Sequence, residues 1–265
     1  MSKSSANART PKRMLAEVIS NCQVADGLHL LQVNAPEIAA TANPGQFAML
    51  QCAGAAFLRR PLSIHRINAN KTLISFLFAV IGKGTLWLAQ AEAGDKIDVL
   101  GPLGCGFLLH SSREILLLAG GLGLAPLVFL ADEALARGAR VNLAYGTATN
   151  QRYSKQLLPS DVNLIEFTDD GSYGKHGLVT DCIPDFLNRA EQIFACGPLP
   201  MYRAMSRQAN FKDRNIQVSL ETRMACGLGV CYGCTIKTIS GLQQACHHGP
   251  VFNMADVVWD EIAEI

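Results

Sequence analysis

This 265-residue chain carries almost no net charge: 23 Lys and Arg stand against 22 Asp and Glu, leaving +1 at pH 7. No strong field would gather nucleic acid or an anionic membrane surface, and neither is expected as a partner. An uninterrupted apolar run is missing too. The most apolar stretch, Ile115 to Ala131, approaches the roughly 18 residues of a membrane span, but Gly120, Gly121, Gly123 and Pro126 break its middle. A buried strand, a glycine turn and a helix opening near Pro126 account for it, because proline is tolerated in a first helical turn. The opening MSKSSANARTPKR is polar and is followed by no apolar core, so a disordered tail over residues 1–13 is expected rather than a secretory signal. Internal repeats are absent, and low complexity is confined to the first dozen residues.

What is present is ample apolar material, 49% of residues against 17% charged, in a chain too long for one average domain. Residues 14–110 read as six short strands separated by Gly, Pro, Asn and Asp turns, with one helical stretch near GTLWLAQA, which predicts a small antiparallel β-barrel. Residues 111–219 alternate strand and helix. That alternation predicts an α/β unit with a parallel sheet, helices on both faces and ligands at the carboxyl ends of the strands. Residues 220–265 are rich in cysteine and too small to own a core, so metal coordination is expected to supply what apolar burial cannot.

Four of the nine cysteines, Cys226, Cys231, Cys234 and Cys246, lie in that last segment, spaced C-x4-C-x2-C-x11-C. In a reducing cytoplasm clustered thiols point to metal or redox chemistry rather than disulfides, and the chain is expected there. Structural zinc takes two C-x2-C knuckles, and only one such pair exists. The plant-type [2Fe-2S] arrangement has this spacing. Gly227, Gly229 and Gly233 favour it, since a loop wrapping bridged irons needs positive φ and close backbone N–H donors. Zinc stays as the alternative. Cys22, Cys52, Cys105, Cys182 and Cys196 are scattered, and most are expected to be small buried side chains.

A [2Fe-2S] cluster moves single electrons and has no substrate of its own, so redox partners are expected within the chain. Arg60 and Ser63, on a predicted strand, suit a flavin, the guanidinium for pyrophosphate and the hydroxyl for the ring edge. Gly84 and Thr85 open an apolar helical run whose first amides suit phosphate. AGGLGLAP, with Gly121 and Gly123, is not the G-x-G-x-x-G fingerprint, because Pro126 stands where a later glycine belongs. With Cys196 and Gly197 of ACGPLPM it would border one crevice fit for a nicotinamide. Thr147, Ala148 and Thr149 offer no basic residue before Arg152 to meet a 2′-phosphate, which favours NAD over NADP.

Together and in order, R-P-L-S, G-K-G-T, G-P-L-G, G-G-L-G-L-A-P, C-G-P-x-P-M and E-T-R-M-A-C-G-x-G-x-C-x-G-C resemble the ferredoxin-reductase superfamily. More closely, the chain resembles the electron-transfer subunits of NAD-dependent (class 1B) dihydroorotate dehydrogenases. TDDGSYGKHG at Thr168 to Gly177 and CHHGPVF from Cys246 share in the resemblance. It implies FAD bound by Arg60, Pro61, Leu62, Ser63, Gly84 and Thr85, with Leu77, Phe78 and Ala79 lining the flavin. It also implies a [2Fe-2S] cluster on Cys226, Cys231, Cys234 and Cys246, and NAD as the nicotinamide partner. No residue is assigned to catalysis on dihydroorotate. That role falls to an FMN-containing catalytic subunit, with two copies of each chain in a heterotetramer. Two rival readings are another flavin and iron-sulfur NAD(P)H reductase subunit, and a zinc-held interaction module, which colour alone separates from a flavoprotein.

Overall fold

The computed structural model describes residues 10–52, 58–150, 153, 155–208, 211 and 214–262. The tail expected over residues 1–13 lies outside them up to residue 9, and Lys12 and Arg13 already belong to the first strand. Six strands close a barrel: β1 (Lys12–Ala25), β2 (Leu28–Asn34), β3 (Phe47–Leu50), β4 (Arg60–Ile67), β5 (Leu73–Ala79) and β6 (Lys96–Leu103). Their order is β1-β2-β5-β4-β3-β6, with every pairing antiparallel. At the β1–β6 seam Asp98 takes Arg13 at 2.6 Å and Arg59 at 3.0 Å. Two helices accompany the barrel, α1 (Pro36–Ala39) and α2 (Lys83–Ala89). Asn21 Nδ2 donates to the Leu88 and Ala91 carbonyls at 2.8 and 2.9 Å, so β1 holds the last turn of α2.

Strand β5 shows why the barrel is not free-standing. Side chains alternate across a strand, and Ile74, Phe76 and Phe78 fill the barrel interior. Leu77, on the other face, is 3% exposed because it packs with Leu124, Ala125 and Tyr145 of the second unit.

That unit contains β7 (Glu114–Gly120), β8 (Arg140–Thr147), β9 (Asn163–Thr168), β10 (Lys175–His176), β11 (Gln192–Cys196) and β12 (Ile216–Ser219), all parallel as expected. Helices α3 (Leu124–Ala136), α4 (Ile183–Phe186) and α5 (Leu199–Ser206) connect them. Over LVTDCIPDFLNR, Leu178 to Arg189, the chain makes a tight turn, Val179–Cys182, followed by the short α4 in place of one continuous helix. Pro184 has no N–H to carry the ladder through.

The last segment departs from expectation. It folds a hairpin, β13 (Thr235–Thr238) with β14 (Gly241–Gln244), then α6 (Ala245–His248) and β15 (Val251–Asn253). Strand β15 joins the second sheet antiparallel to β12, giving the order β10-β9-β8-β7-β11-β12-β15. Cys234, Ile236, Cys246, Phe252 and Trp259 are buried in one cluster with Phe47, Met49 and Leu103 of the barrel and Leu116 and Leu118 of the sheet. A segment too small for its own core borrows one from both neighbours, so metal is not its only source of order.

Barrel and sheet also meet where β4 packs on α3. Arg66 donates through Nε and Nη2 to both oxygens of Asp132, at 2.5 and 3.0 Å. His65, 1% exposed, sets Nδ1 2.9 Å from the Ala125 carbonyl oxygen and Nε2 3.1 Å from the Tyr153 hydroxyl. Desolvation lowers its pKa from 6.5 to about 4, against the Ala125 hydrogen bond and with help from Arg66. The fold therefore holds this ring neutral. Stability from it is full above pH 6.5 and is lost as pH falls from there through about 4. Urea midpoints should fall between pH 7 and pH 5, His65 accounting for up to about 3 kcal/mol at full protonation, and His65→Leu should flatten that dependence.

Candidate functional site

The cysteine loop begins where Gly227, at φ 71°, turns under the barrel. A Cβ there would lie 2.7 Å from Met49 Cγ and 3.3 Å from Leu103 Cδ1, so the loop lies directly on β3 and β6. Gly229, at φ 76°, leaves no room on its other side, because a Cβ would lie 2.9 Å from His247 Cβ. All four thiols are free, and Cys226 contacts Cys231 while Cys234 contacts Cys246. Backbone N–H groups point at the sulfurs: Leu228 donates to Cys226 Sγ at 3.3 Å and Gly229 to Cys246 Sγ at 3.1 Å. Burial alone would raise Cys226, but the N–H donors of Leu228, Val230 and Cys231 and the Cys231 side chain hold it down at about 6. Cys246 is pushed up to about 12 by burial and by Cys234.

Among the described residues no three Cys, His, Asp or Glu side chains gather as one metal ion requires. Two thiol pairs with N–H groups aimed at sulfur fit a pair of bridged irons, each taking two thiolates, better than a single tetrahedral zinc. Cys234 and Cys246 are buried, whereas Cys231 is exposed among Leu228, Val230 and Tyr232, themselves 46%, 72% and 66% exposed. The loop thus has an inner edge on the barrel and an outer apolar edge.

On the barrel, Arg60 lies across the start of α2. A Cβ on Gly84 would sit on Arg60 Nε, so only glycine lets the guanidinium rest there. Arg60 Nη1 donates to the Leu58 carbonyl at 3.0 Å, which leaves its other N–H groups for an anion. Thr85 Oγ1 accepts the N–H groups of Ile81 and Gly82 at 3.0 and 3.2 Å, so this hydroxyl braces the turn at the start of α2. Pro61, Leu62 and Ser63 pair with Met49, Ala48 and Phe47 on β3. The cysteine loop rests on Met49, and Met49 is the cross-strand partner of Pro61. Leu77 and Ala79 line a cleft of about 180 Å³, while Phe78 points into the barrel. This set fits a flavin nucleotide in charge and in its missing Cβ.

The cleft opens against the carboxyl ends of β7 and β8, with Gly121, Leu122, Tyr145 and Thr147 on its far side. Gly121, at φ 52°, has open space where a Cβ would stand. Gly123 differs, since a Cβ would collide with the Cys196 carbonyl and lie 2.7 Å from Gly197 N. Gly123, Cys196 and Gly197 thus pack the ends of β7 and β11 together, and Gly121 alone of the four lines the cleft. Tyr202 fixes this corner, its hydroxyl accepting Gly197 N–H at 2.9 Å and donating to Ser219 O at 2.6 Å. Cys196 is 2% exposed, and burial together with Glu221 pushes its thiol far up. Glu221 is exposed, and desolvation by the surrounding protein raises its carboxyl. Beside it the Thr222 hydroxyl is buried without a hydrogen-bond partner among the described residues.

Sequence reading missed the cleft residues Asp26, Gly27, Tyr145 and Tyr153, although the Asp-Gly turn between β1 and β2 marks where the barrel reaches the sheet. Arg152 lies outside the described residues. Of the scattered cysteines, Cys52, Cys182 and Cys196 are buried, and Cys22 and Cys105 are exposed. Cys105 ties the G-P-L-G turn to the chain after Cys246, its N–H donating to Gly249 O at 2.5 Å.

Residues 221–258 match a family model described as the iron-sulfur cluster binding domain of dihydroorotate dehydrogenase B. Over 256 residues the chain is 35% identical to the dihydroorotate dehydrogenase B (NAD(+)) electron transfer subunit of Desulforamulus reducens, covering 92% of this chain and 98% of the relative. The subunit of the same name from Geobacillus thermodenitrificans is 37% identical over 251 residues, 91% and 96% of the two chains. Among solved structures, an NADH-dependent reduced ferredoxin-NADP oxidoreductase superposes with a TM-score of 0.83 at 27% identity, over 94% of this chain and 91% of that one. A ferredoxin reductase of carbazole 1,9a-dioxygenase shares the fold at TM-score 0.66 and 21% identity, over 76% and 65%.

The crowding at Gly123 against rigid backbone predicts that Gly123→Ala costs about 3 kcal/mol or more. Thermal melts should show the loss, and Gly121→Ala, strained only by its positive φ, should cost about 1 kcal/mol.

Proposed function

The chain belongs to the electron-transfer subunits of NAD-dependent dihydroorotate dehydrogenase B, and from that premise we propose how its residues carry electrons from a catalytic partner to NAD+. The partner, an FMN-containing subunit, oxidises dihydroorotate to orotate in pyrimidine synthesis. Bound in this chain, a [2Fe-2S] cluster passes electrons singly and FAD gathers two for delivery to NAD+ as hydride. Cys226, Cys231, Cys234 and Cys246 hold the cluster. Arg60 binds the flavin pyrophosphate across Gly84, Pro61, Leu62 and Ser63 border the ring, Leu77 and Ala79 wall the cleft, and Thr85 shapes the α2 turn. Phe78 supports that wall from inside the barrel. Gly121 admits NAD at the strand ends that Gly123, Cys196 and Gly197 close-pack.

One observation carries this reading: Gly227 seats the cysteine loop on Met49, directly across from Pro61 in the R-P-L-S strand. One strand spacing, about 4.8 Å, separates the backbone beneath the thiols from the backbone that holds the flavin. Residues 14–110, 111–219 and 220–265 accordingly divide the work as FAD, NAD and cluster units, with β15 lending the third unit's chain to the second.

The partner docks on the outer edge of the cysteine loop, where Leu228, Val230 and Tyr232 surround exposed Cys231. Two copies of each subunit form the complex, in the cytoplasm, where free thiols suit a reducing medium. Nucleic acid and membrane take no part. Among the described residues no helix is long and apolar enough to cross a membrane.

Anaerobically purified alone, the chain should contain iron, acid-labile sulfide and FAD, reduce a dye with NADH, and leave dihydroorotate untouched. Zinc without sulfide in well-folded protein would sink the relay. Cys246→Ser should abolish transfer from the partner while NADH-dye reduction persists. Gly84→Ala should weaken FAD retention about tenfold with little change in polypeptide folding, because the displaced group is the flexible end of Arg60 and one charge-assisted hydrogen bond is at stake.

A further inference from the structure

His65 and Tyr153 do not belong to any motif in the sequence, yet they join the flavin strand to the wall of the cleft. His65 is the extra residue of a bulge in β4: Ile64 pairs with Phe76 and Arg66 with Ser75, leaving His65 without a cross-strand partner. A bulge re-aims a side chain, and here the ring leaves the barrel for α3. Its tautomer is fixed by its neighbours. The Ala125 carbonyl can only accept, so Nδ1 carries the proton, Nε2 is a bare acceptor, and the Tyr153 hydroxyl donates to it at 3.1 Å, with the Leu157 carbonyl a longer second acceptor at 3.4 Å. Tyr153 is 2% exposed and held at its other end too, where its N–H donates to the Tyr145 hydroxyl of β8 at 3.2 Å. Both tyrosines line the cleft beside Leu77 and Thr147. Those leucine and hydroxyl surfaces suit a base and a ribose, the chemistry of an adenine dinucleotide.

We propose that His65 and Tyr153 are positioning residues for the adenosine end of a dinucleotide in this cleft, their hydrogen bond setting the distance between the barrel wall and the β8 wall. Losing that bond loosens the link between the two walls, and the ligand then bears the cost of re-ordering them. The inference rests on the electron-transfer reading above and names the residues that tune binding within it. Adenosine occurs in both FAD and NAD, and the experiment separates them.

The purified, cofactor-loaded chain, Tyr153→Phe, His65→Leu and the double variant are compared. Four quantities are read: the dissociation constants of NAD+ and AMP by calorimetry, the FAD-to-protein ratio after gel filtration, KM and kcat with NADH and a dye, and the melting temperature. Tyr153→Phe, which keeps the ring, should raise the NAD+ dissociation constant and the KM for NADH about three- to tenfold, with a smaller change in kcat. The double variant should bind no worse than the weaker single one, since both lose the same bond. A fall in FAD ratio with NAD+ affinity intact would support the positioning role and assign it to the flavin. Unchanged binding of both, with only a lower melting temperature, would overturn the proposal. Wild-type protein that holds neither FAD nor NAD+ would defeat the electron-transfer reading itself, and this inference with it.

Discussion

The arrangement depends on a steric constraint at one position, the absence of a side chain at Gly227. With no Cβ the cysteine loop lies flat on Met49 and Leu103; with one, the contact at 2.7 Å would lift it away. Dispersion forces decay steeply with separation, so a small displacement would cost both packing and proximity. The loop's buried residues share one cluster with the barrel and the sheet, and the geometry of the sulfurs is inherited from that joint core.

Three junctions give the molecule its working shape, each with a different chemistry. Apolar packing seats the thiols on β3 and β6. Backbone-to-backbone crowding at Gly123 brings the ends of β7 and β11 together. A polar junction, with Arg66 on Asp132 and His65 between Ala125 and Tyr153, fastens the barrel to α3. The polar groups there are partnered, which makes a largely buried polar seam tolerable and fixes its geometry.

The legibility of these features in the sequence follows from how local each one is. Barrel and parallel sheet are written in strand periodicity and turn residues, and β1 to β9, β11 and β12 fall where the apolar runs lie. The thiol cluster is local as well, because four sulfurs within 21 residues advertise themselves by spacing. Thr85 was legible as a residue of the turn, whereas the bonds from Ile81 and Gly82 to its hydroxyl depend on how the turn closes. Phe78 follows the same logic: a strand sends neighbours to opposite faces, and which face meets the cleft is decided by partners far away. His65 and Tyr153 stand 88 residues apart, and no pattern along the chain announces that they meet. The strand β15 was hidden because a three-residue edge strand carries too little periodicity to stand out.

That edge strand orders events in time. On a ribosome the chain emerges from its amino end, and β12 keeps an open edge until Val251–Asn253 clear the exit tunnel. Exposed edges invite pairing with other chains. Val251–Asn253 close the edge, and closing it anchors the carboxyl end of the cysteine segment whose amino end is already fixed at Ser219. A chain cut short before Val251 would keep that margin of β12 open, a sticky sheet edge for quality control to find.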